Sequence, residues 1–466
     1  MVFSSASFLF LFLPVMFVLH LVIPNIKVKN ALLTAASLLF YAWGEGWYVL
    51  LMIASVLVNW ILGLLIAKYP QRNKWFAALA VIANIGMLFA YKYVGFFIEL
   101  LNLVPGVVLP AVNIPLPLGI SFFTFQVLSY VIDVYREPEM VNKSFFSTLF
   151  YVSFFPQLIA GPIVKYHDVN EQIKSRHLTP EGISSGIRRF VIGVSKKLLI
   201  ADVVAAVVDQ VFALQPQEIS GLCAWLAAIL YCVQIYFDFS GYSDMAIGLG
   251  RMFGFEFKEN FNYPYTALGI QDFWRKWHIS LSTWFREYLY IPLGGNRKGV
   301  ARTYLNLFIV FLATGLWHGA NLTFVVWGLY HGVLMVLERA KILRLRWKWL
   351  THIYTLLAVV IGFVIFRADS LSVAGAFLAR MFTPSAFTAG FSDALSYCTP
   401  YLLFTTVMAI VCSTPLLKTI QAKAAARPAL AKTLQAVSYP LCLVLLLICM
   451  TVLASNTYSP FIYFRF

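Results

Sequence analysis

Long apolar stretches constrain this chain more than any other feature of its sequence. Of its 466 residues, 61% are hydrophobic and only 12% are charged, whereas soluble domains are about half apolar. A helix needs roughly 20 apolar residues to cross a bilayer. We interpret eleven stretches as membrane spans: 6–24, 31–43, 46–67, 75–91, 117–134, 221–239, 303–318, 322–337, 351–366, 399–413 and 437–454. Shorter or interrupted apolar segments lie between them, at 94–104, 146–163 and 190–213.

The length and continuity of these stretches decide the fold class. In lipid, only helices and closed barrels satisfy their own backbone hydrogen bonds. The stretches are longer and more continuously apolar than the alternating strands of a barrel, which have about ten residues. The first stretch lacks a basic start and a small-residue cleavage site, so we expect it to be retained. We therefore predict an all-α, polytopic membrane protein that forms one domain, residues 1–466.

The basic residues predict the orientation of the chain in the membrane. The net charge is +15, and Lys and Arg collect in short loops, as the positive-inside rule expects for cytoplasmic loops. These loops are Lys27/Lys29, Lys68/Arg72/Lys74, Arg339 to Lys348 and Lys418 to Lys432. Counting outward from the last two loops places the C-terminus on the extracytoplasmic face, and the cytoplasmic Lys27/Lys29 loop after the first span places the N-terminus there as well.

Two polar regions in the middle of the chain are not predicted to span the membrane. Residues 165–202 are amphipathic and basic, which is typical of helices that lie on the cytoplasmic surface. Residues 273–299 contain three tryptophans, a histidine and several cations. We predict that this second region is partly re-entrant and lines a polar cavity, because non-spanning backbone at membrane depth is tolerated only there.

Among seven histidines, His318 stands out because it interrupts an apolar segment. It lies between Trp317 and Gly319, and at helical spacing it shares one face with Asn321. A neutral imidazole beside a carboxamide can act as a base with a polarising neighbour, although a hydrogen-bonded core histidine remains the alternative. For four other histidines we expect structural or interfacial roles: His20, His167, His177 and His352.

Several long motifs occur in the order typical of one family. They are MVFSSASFLFLFLP at the start, PLGISFFTFQVLSYVIDVYR at 117–136, FFPQLIAGPIVKY at 154–166, YFDFSGYSDMAIGLG at 236–250, FWRKWHISLSTWFREYLYIPLGGNRKG at 273–299 and GLWHGANLTFVVWGLYHG at 315–332. The chain strongly resembles the membrane-bound O-acyltransferase superfamily over nearly its whole length. The similarity is greater to the bacterial branch that acylates alginate, peptidoglycan and teichoic acid.

The resemblance implies a ring of about eleven tilted helices around a central tunnel. His318 would be the central catalytic residue, His278 a second tunnel histidine nearer the cytoplasmic mouth, and His331 a supporting residue. The side chains around His278 would hold a phosphate-bearing donor, with interfacial anchoring as the alternative: Trp274, Arg275, Lys276 and Trp277.

Histidine suits the chemistry that the resemblance implies. Moving an acyl group from a thioester to a hydroxyl needs a base for the hydroxyl proton, and a histidine with a pKa near neutral is the usual one. The sequence has neither a GxSxG elbow nor a metal-ligand spacing. We therefore expect no metal and no bound cofactor, with acetyl-CoA or an acyl carrier protein thioester as donor. No nucleic-acid partner is expected.

The chain closes on YSPFIYFRF, 458–466, in which five of nine residues are aromatic. The motif is very similar to the C-terminus of a small membrane peptide of the D-alanylation system, whose tyrosine is proposed to carry the acyl group. By this resemblance Tyr463 is the acyl carrier, seated by Phe461, Phe464 and Phe466, on the extracytoplasmic face. The alternative is an aromatic anchor at the membrane interface.

The sequence thus predicts an O-acetyltransferase of a bacterial inner membrane. An extracytoplasmic SGNH-type or similar partner would complete acyl transfer to a cell-surface or exported polysaccharide. An exporter or flippase for a lipid-linked saccharide is the alternative from another class, but transporters commonly contain internal repeats and none is found here. Acylation of a protein or lipid also stays open, because the acceptor leaves no clear mark on the sequence.

Overall fold

The computed structural model describes residues 2–343, 345–387, 390–455 and 461–462, and within these ranges every regular element is helical. The first eleven α-helices are α1 Leu13–Val22, α2 Ile26–Glu45, α3 Tyr48–Lys68, α4 Asn73–Lys92, α5 Val94–Asn102, α6 Ile120–Arg136, α7 Phe145–Ser153, α8 Phe155–Leu158, α9 Tyr166–Lys174, α10 Pro180–Ser195 and α11 Asp202–Ala213. The others are α12 Gly221–Met252, α13 Ile270–Lys276, α14 Ile279–Phe285, α15 Val300–His318, α16 Leu322–Arg339, α17 Lys348–Arg367, α18 Leu371–Phe382, α19 Phe391–Tyr397, α20 Pro400–Cys412, α21 Leu416–Ala425 and α22 Pro428–Ser455. The all-α prediction is confirmed.

Seven described helices are long and apolar enough to cross a membrane: α3, α4, α12, α15, α16, α17 and α22. An eighth span results if α20 and α21, which are bent by 51° at a short break, count as one. The predicted number of eleven is therefore not confirmed. Helix α6 illustrates the difference, because it starts only at Ile120, after a proline-rich stretch and Gly119 in the left-handed region (φ 75°). It has 17 residues, and most of its polar side chains are buried in protein.

The helices form two compact units along the chain. The first comprises residues 1–190 and 243–259. In it, α3 packs against α4 and α6, and the buried amides of Asn59 and Asn84 exchange two hydrogen bonds of 3.1 and 2.7 Å between α3 and α4. Paired amides of this kind hold helices together where no water competes for their hydrogen bonds.

Helix α9 in the first unit confirms the predicted amphipathic pattern. Its buried residues are Tyr166, Val169, Asn170 and Ile173, which recur at the spacing of one helical face. His167, between them, lies 2.9 Å through Nδ1 from the carboxylate of Asp133. The hydrogen bond to Asp133 raises the pKa of His167, so this histidine has a structural partner, as predicted.

The second unit comprises residues 191–242 and 260–466, and helices α15 and α16 pack against each other in it. A Cβ added to Gly315 would lie 2.3 Å from the carbonyl oxygen of Phe324, and one added to Gly328 would lie 2.4 Å from that of Phe311. Real Cβ atoms do not approach so closely, so the two backbones touch at these glycines. Small residues permit such approach between membrane helices.

The segment after Asn260, in the second unit, forms short helices instead of a span. Helices α13 and α14 have seven residues each, and a π-helical turn, Arg286–Tyr290, follows them. All three tryptophans of the predicted non-spanning stretch are buried: Trp274, Trp277 and Trp284. As predicted, this stretch contains no helix long enough to cross a bilayer.

The contact of α15 with α16 predicts a stability effect. Gly328→Ala should lower the free energy of unfolding by about 1–3 kcal/mol, because a methyl group there overpacks a backbone contact. The melting temperature of the purified protein in detergent should fall accordingly. Gly375→Ala is the matched control, because a Cβ at Gly375 in α18 meets no atom within 4 Å. Equal melting temperatures for the two variants would contradict the proposed contact.

Candidate functional site

His318 ends helix α15, and the chain turns away directly after it. Gly319 is extended (φ −169°), so His318 is the last helical residue. Its side chain is buried, and its ring stands edge-on to Trp327 of α16 and Phe366 of α17, with centroids 5.1 Å away in both cases. The imidazole of His318 therefore stands between two aromatic side chains.

His278 lies between α13 and α14 and is fully buried. Its backbone is left-handed (φ 43°), an unusual conformation for a residue with a side chain that often marks a functional site. Its ring centroid lies 4.6 Å from that of Phe239 and 5.9 Å from that of Trp317. Trp317 therefore contacts both predicted catalytic histidines, His278 and its own neighbour His318.

Asn260 determines which nitrogen of His278 carries the proton. Its Oδ1 accepts hydrogen bonds from the backbone N–H and the hydroxyl of Ser280, at 3.1 and 2.8 Å. A backbone N–H can only donate, so the atom facing it must be the amide oxygen. The same oxygen lies 3.2 Å from Nδ1 of His278, which must therefore donate. The lone pair of the neutral ring is then on Nε2, where it can accept a proton.

The electrostatic environment keeps His278 uncharged. Burial lowers the pKa of its imidazole to about 3, because the charged form is poorly solvated inside protein. Asn260, its hydrogen-bonding partner, is uncharged. At neutral pH the ring is consequently a proton acceptor.

The four residues expected to hold the donor fall into two pairs. Trp274 packs against Phe311 and Trp327, and Trp277 stacks on Phe273, so both indoles belong to the core. Arg275 is exposed. Lys276 is half-buried, and its Nζ lies 2.8 Å from the carboxylate of Asp272. The structure therefore leaves the two cations, rather than the indoles, at the surface.

His331 lies within α16, and Asn321 is the N-cap residue of that helix. His331 is buried, and its ring contacts those of Trp274 and Trp327, each at 5.2 Å. Asn321 caps α16: it accepts from the N–H of Thr323 and donates to the carbonyl oxygen of Asp369, both at 3.0 Å. The prediction that His318 and Asn321 share one helical face is wrong, because the helix ends at His318 and a new one begins at Leu322.

Two residues of the C-terminal motif, Phe461 and Ile462, lie inside the second unit. Each side chain is only 4% exposed. The ring of Phe461 is 4.7 Å from that of Tyr242 and 6.4 Å from that of Phe239. These two side chains thus face protein, unlike those of an anchor exposed to the membrane interface. Tyr463 and the residues after it lie outside the described ranges.

A buried carboxylate binds the backbone of this C-terminal segment. Asp238 of α12 is 2% exposed, and its Oδ2 accepts a hydrogen bond of 2.7 Å from the N–H of Ile462. Its Oδ1 lies 2.7 Å from Nζ of Lys197, which is also 2.8 Å from Oδ1 of Asp202. We call these three residues, Lys197, Asp202 and Asp238, the ionic cluster.

Sequence reasoning missed Asn260 and the ionic cluster as site residues. Asn260 and Asp238 both stand among aromatic residues, in ENFNY and YFDFS, and a polar side chain in such surroundings was the available signal. Their partners are distant in sequence, however, so spacing alone does not pair them. No group of three potential metal ligands occurs among the residues that the structure describes.

Comparison with known proteins assigns the chain to a family. A sequence model of the membrane-bound O-acyltransferase family matches residues 134–374. A Pseudomonas putida protein named "Probable alginate O-acetylase AlgI" is 44% identical over 82% of this chain and 80% of its own length. The peptidoglycan O-acetyltransferase of Helicobacter pylori is 39% identical over 80% of this chain and 78% of its own.

A more distant relative is the teichoic acid D-alanyltransferase of Bacillus subtilis, 30% identical over 61% of this chain and 74% of its own. The matched range of the family model contains His278, His318 and His331. The chain has the apolar helices of a multi-pass membrane protein. It therefore belongs to the membrane-bound O-acyltransferase family and is a membrane O-acyltransferase.

Proposed function

We propose that this protein O-acetylates a polysaccharide outside the cytoplasm of a bacterium, from the inner membrane. The donor is a cytoplasmic thioester, acetyl-CoA or an acyl carrier protein thioester. The names of the two relatives at 44% and 39% identity, an alginate O-acetylase and a peptidoglycan O-acetyltransferase, support the acetyl group and the polysaccharide. The C-terminus is proposed to lie on the extracytoplasmic face, an orientation that the positive-inside rule applied to the basic loops supports.

One observation carries the proposal: the C-terminal segment and the histidines share a continuous set of ring contacts. Phe461 contacts Phe239, Phe239 contacts His278, and His278 contacts Trp317 beside His318. An anchor at the membrane interface would not need this position. An acyl carrier would, because it must reach the residues that load it.

In the proposed reaction, Tyr463 receives the acyl group first. A histidine of the site, His318 assisted by His278, removes the phenol proton. The phenolate oxygen attacks the thioester carbonyl carbon, a C–O bond forms and the C–S bond breaks. The imidazolium returns its proton to the departing thiolate, which leaves as a free thiol. A phenol suits this step because its pKa of about 10 lies below that of a sugar hydroxyl, and its ester is a more reactive acyl donor than an alkyl ester.

The second transfer returns the carrier to its starting state. An extracytoplasmic partner, an SGNH-type or similar transferase, moves the acyl group from the tyrosyl ester to a polymer hydroxyl. The bond between the acyl carbon and the phenolic oxygen breaks, the new ester forms at the sugar oxygen, and the proton of the sugar hydroxyl returns to the phenol. On the donor side, the exposed Arg275 and the half-buried Lys276 are the side chains proposed to bind phosphate groups of the donor.

His318→Gln should reduce polymer acetylation by about 10²–10⁴-fold, because glutamine keeps a polar group but cannot take a proton at neutral pH. Acetylation is measured in cells and with the purified protein, and size-exclusion chromatography checks that the variant is folded. His352→Gln is the matched control, since His352 contacts the carbonyl oxygen of Ala267 at 3.0 Å and has no proposed part in the reaction. Undiminished acetylation in His318→Gln would refute the assignment.

Tyr463→Phe should abolish polymer acetylation, since it removes only the proposed acceptor oxygen. Incubating the wild-type protein with labelled acetyl-CoA should add the mass of one acetyl group, on the tryptic peptide 433–465. The Tyr463→Phe protein should stay unlabelled there. Full polymer acetylation by Tyr463→Phe would exclude the carrier role and leave a direct transfer to the polymer.

Asn260→Asp tests the role of His278 through pH. A carboxylate at this position favours the imidazolium and should raise the pKa of His278 by about one to three units. A general base works only when neutral, so activity is lost as pH falls through that pKa. The acid limb of the activity profile should therefore move to higher pH by the same amount. Asn262→Asp, an exposed position nearby, is the control, and identical acid limbs in all three proteins would count against His278.

A further inference from the structure

The ionic cluster is the one group of buried charges in the second unit that touches the C-terminal segment among the described residues. The proposed acyl transfer uses none of its three side chains. Burying charge is costly unless the charges are paired and hydrogen-bonded. Lys197 and Asp238 are 4% and 2% exposed. Two oppositely charged groups are therefore buried beside the C-terminal segment despite the cost of desolvation. The cluster therefore needs an explanation that the reaction does not give.

Two local features of the backbone build the cluster. Residues Lys196–Ala201 form a π-helical turn between α10 and α11, and such turns are frequent at functional sites. Gly241 of α12 allows a close approach, because an added Cβ would lie 2.8 Å from the carbonyl oxygen of Gly193 and 3.2 Å from Cβ of Lys196. Together they place Lys197 next to Asp238, one turn before Gly241.

Each oxygen of Asp238 has a different task. Oδ1 pairs with Lys197, whereas Oδ2 accepts the N–H of Ile462 at 2.7 Å. A hydrogen bond to a charged group is shorter and about twice as strong as a neutral one. Lys197 pairs with Asp238 inside the protein, and Asp202 contributes a second carboxylate to the same ammonium.

A contact to backbone fixes the register of a segment as well as its location. Because the N–H of Ile462 is the group that is bound, Tyr463 is the first residue beyond the anchored position. On the other side, Phe461 packs on Phe239, the ring that contacts His278. The segment is thus held at two consecutive residues directly before the proposed carrier.

We propose that Asp238, paired with Lys197, is a positioning residue that binds the backbone of Ile462 and sets the register in which Tyr463 meets the histidines. Asp202 supports the ammonium of Lys197. The inference rests on the proposed function for the role of Tyr463. The anchoring of the segment itself does not depend on that role.

Protection of the C-terminus from carboxypeptidase tests the anchor in the full-length protein. In the wild-type protein, digestion should slow sharply before Ile462 is removed. In Asp238→Ala, Ile462 should be lost on the order of tenfold faster or more, because a charge-assisted hydrogen bond no longer holds the segment. Intact-mass spectrometry follows the time course, and melting temperatures in detergent report on folding.

Two further variants separate anchoring from general destabilisation. Lys197→Met combined with Asp238→Leu replaces the pair with apolar side chains, which proteins often tolerate, yet it still lacks the acceptor and should also lose Ile462 quickly. Asp209→Ala breaks a comparable pair, in which Asp209 lies 2.9 Å from Arg367, and should digest like the wild type. Wild-type protection in the double variant, or equal loss in Asp209→Ala, would overturn the proposal.

Acyl loading distinguishes this proposal from the proposed function. If both hold, Asp238→Ala and the double variant should accumulate acetyl on peptide 433–465 at least about tenfold more slowly. Tyr463→Phe should keep wild-type protection of Ile462. Quick loss of Ile462 in the double variant together with full activity of Tyr463→Phe would retain the anchor and reject the carrier. Wild-type protection of Ile462 in the double variant, together with an inactive Tyr463→Phe, would reject the anchor and retain the carrier.

Discussion

The backbone contact between α15 and α16 is the constraint on which the candidate site depends. At Gly315 and Gly328 the two helices approach too closely for any side chain. This contact fixes the register of the turn between them, at which α15 ends with His318. It also sets Trp327 of α16 against the ring of His318, and Phe366 of α17 completes that aromatic wall. One close contact of small residues thus places the imidazole of His318 in buried, aromatic surroundings.

The polar groups of the site are few, and most have defined partners. Asn260 orients His278 through its amide oxygen, while the carboxylate of Asp238 is shared between Lys197 and a backbone N–H. An uncharged imidazole can be buried among apolar groups at modest cost, whereas a full charge there requires a partner. The arrangement is consistent with this rule, since the charged groups occur together and the histidines stand among aromatic rings.

Apolar content and periodicity were sufficient to predict the helical class, the amphipathic helix α9 and the non-spanning stretch with three tryptophans. They overestimated the number of membrane spans, because segments such as α6 are buried in protein and contain polar residues that a membrane-facing helix would not tolerate. Helical spacing failed at Asn321, where the extended Gly319 separates two helices. Helical spacing could not predict the partners of His278 and Asp238, because Asn260 lies 18 residues from His278 and Ile462 lies 224 residues from Asp238. Such pairs are determined by tertiary packing and leave no periodic signal.

The burial of Phe461 and Ile462 has a consequence for the order of the reaction. Because this segment belongs to the same polypeptide as His278, its presence near the ring does not diminish when the protein is diluted. If Tyr463 is the carrier, as proposed, its loading involves a single protein molecule, and each molecule has one acceptor residue. Under the proposed mechanism, a loaded molecule must discharge its acyl group before it can accept another, so consumption of the donor on one side of the membrane is limited by acceptance on the other.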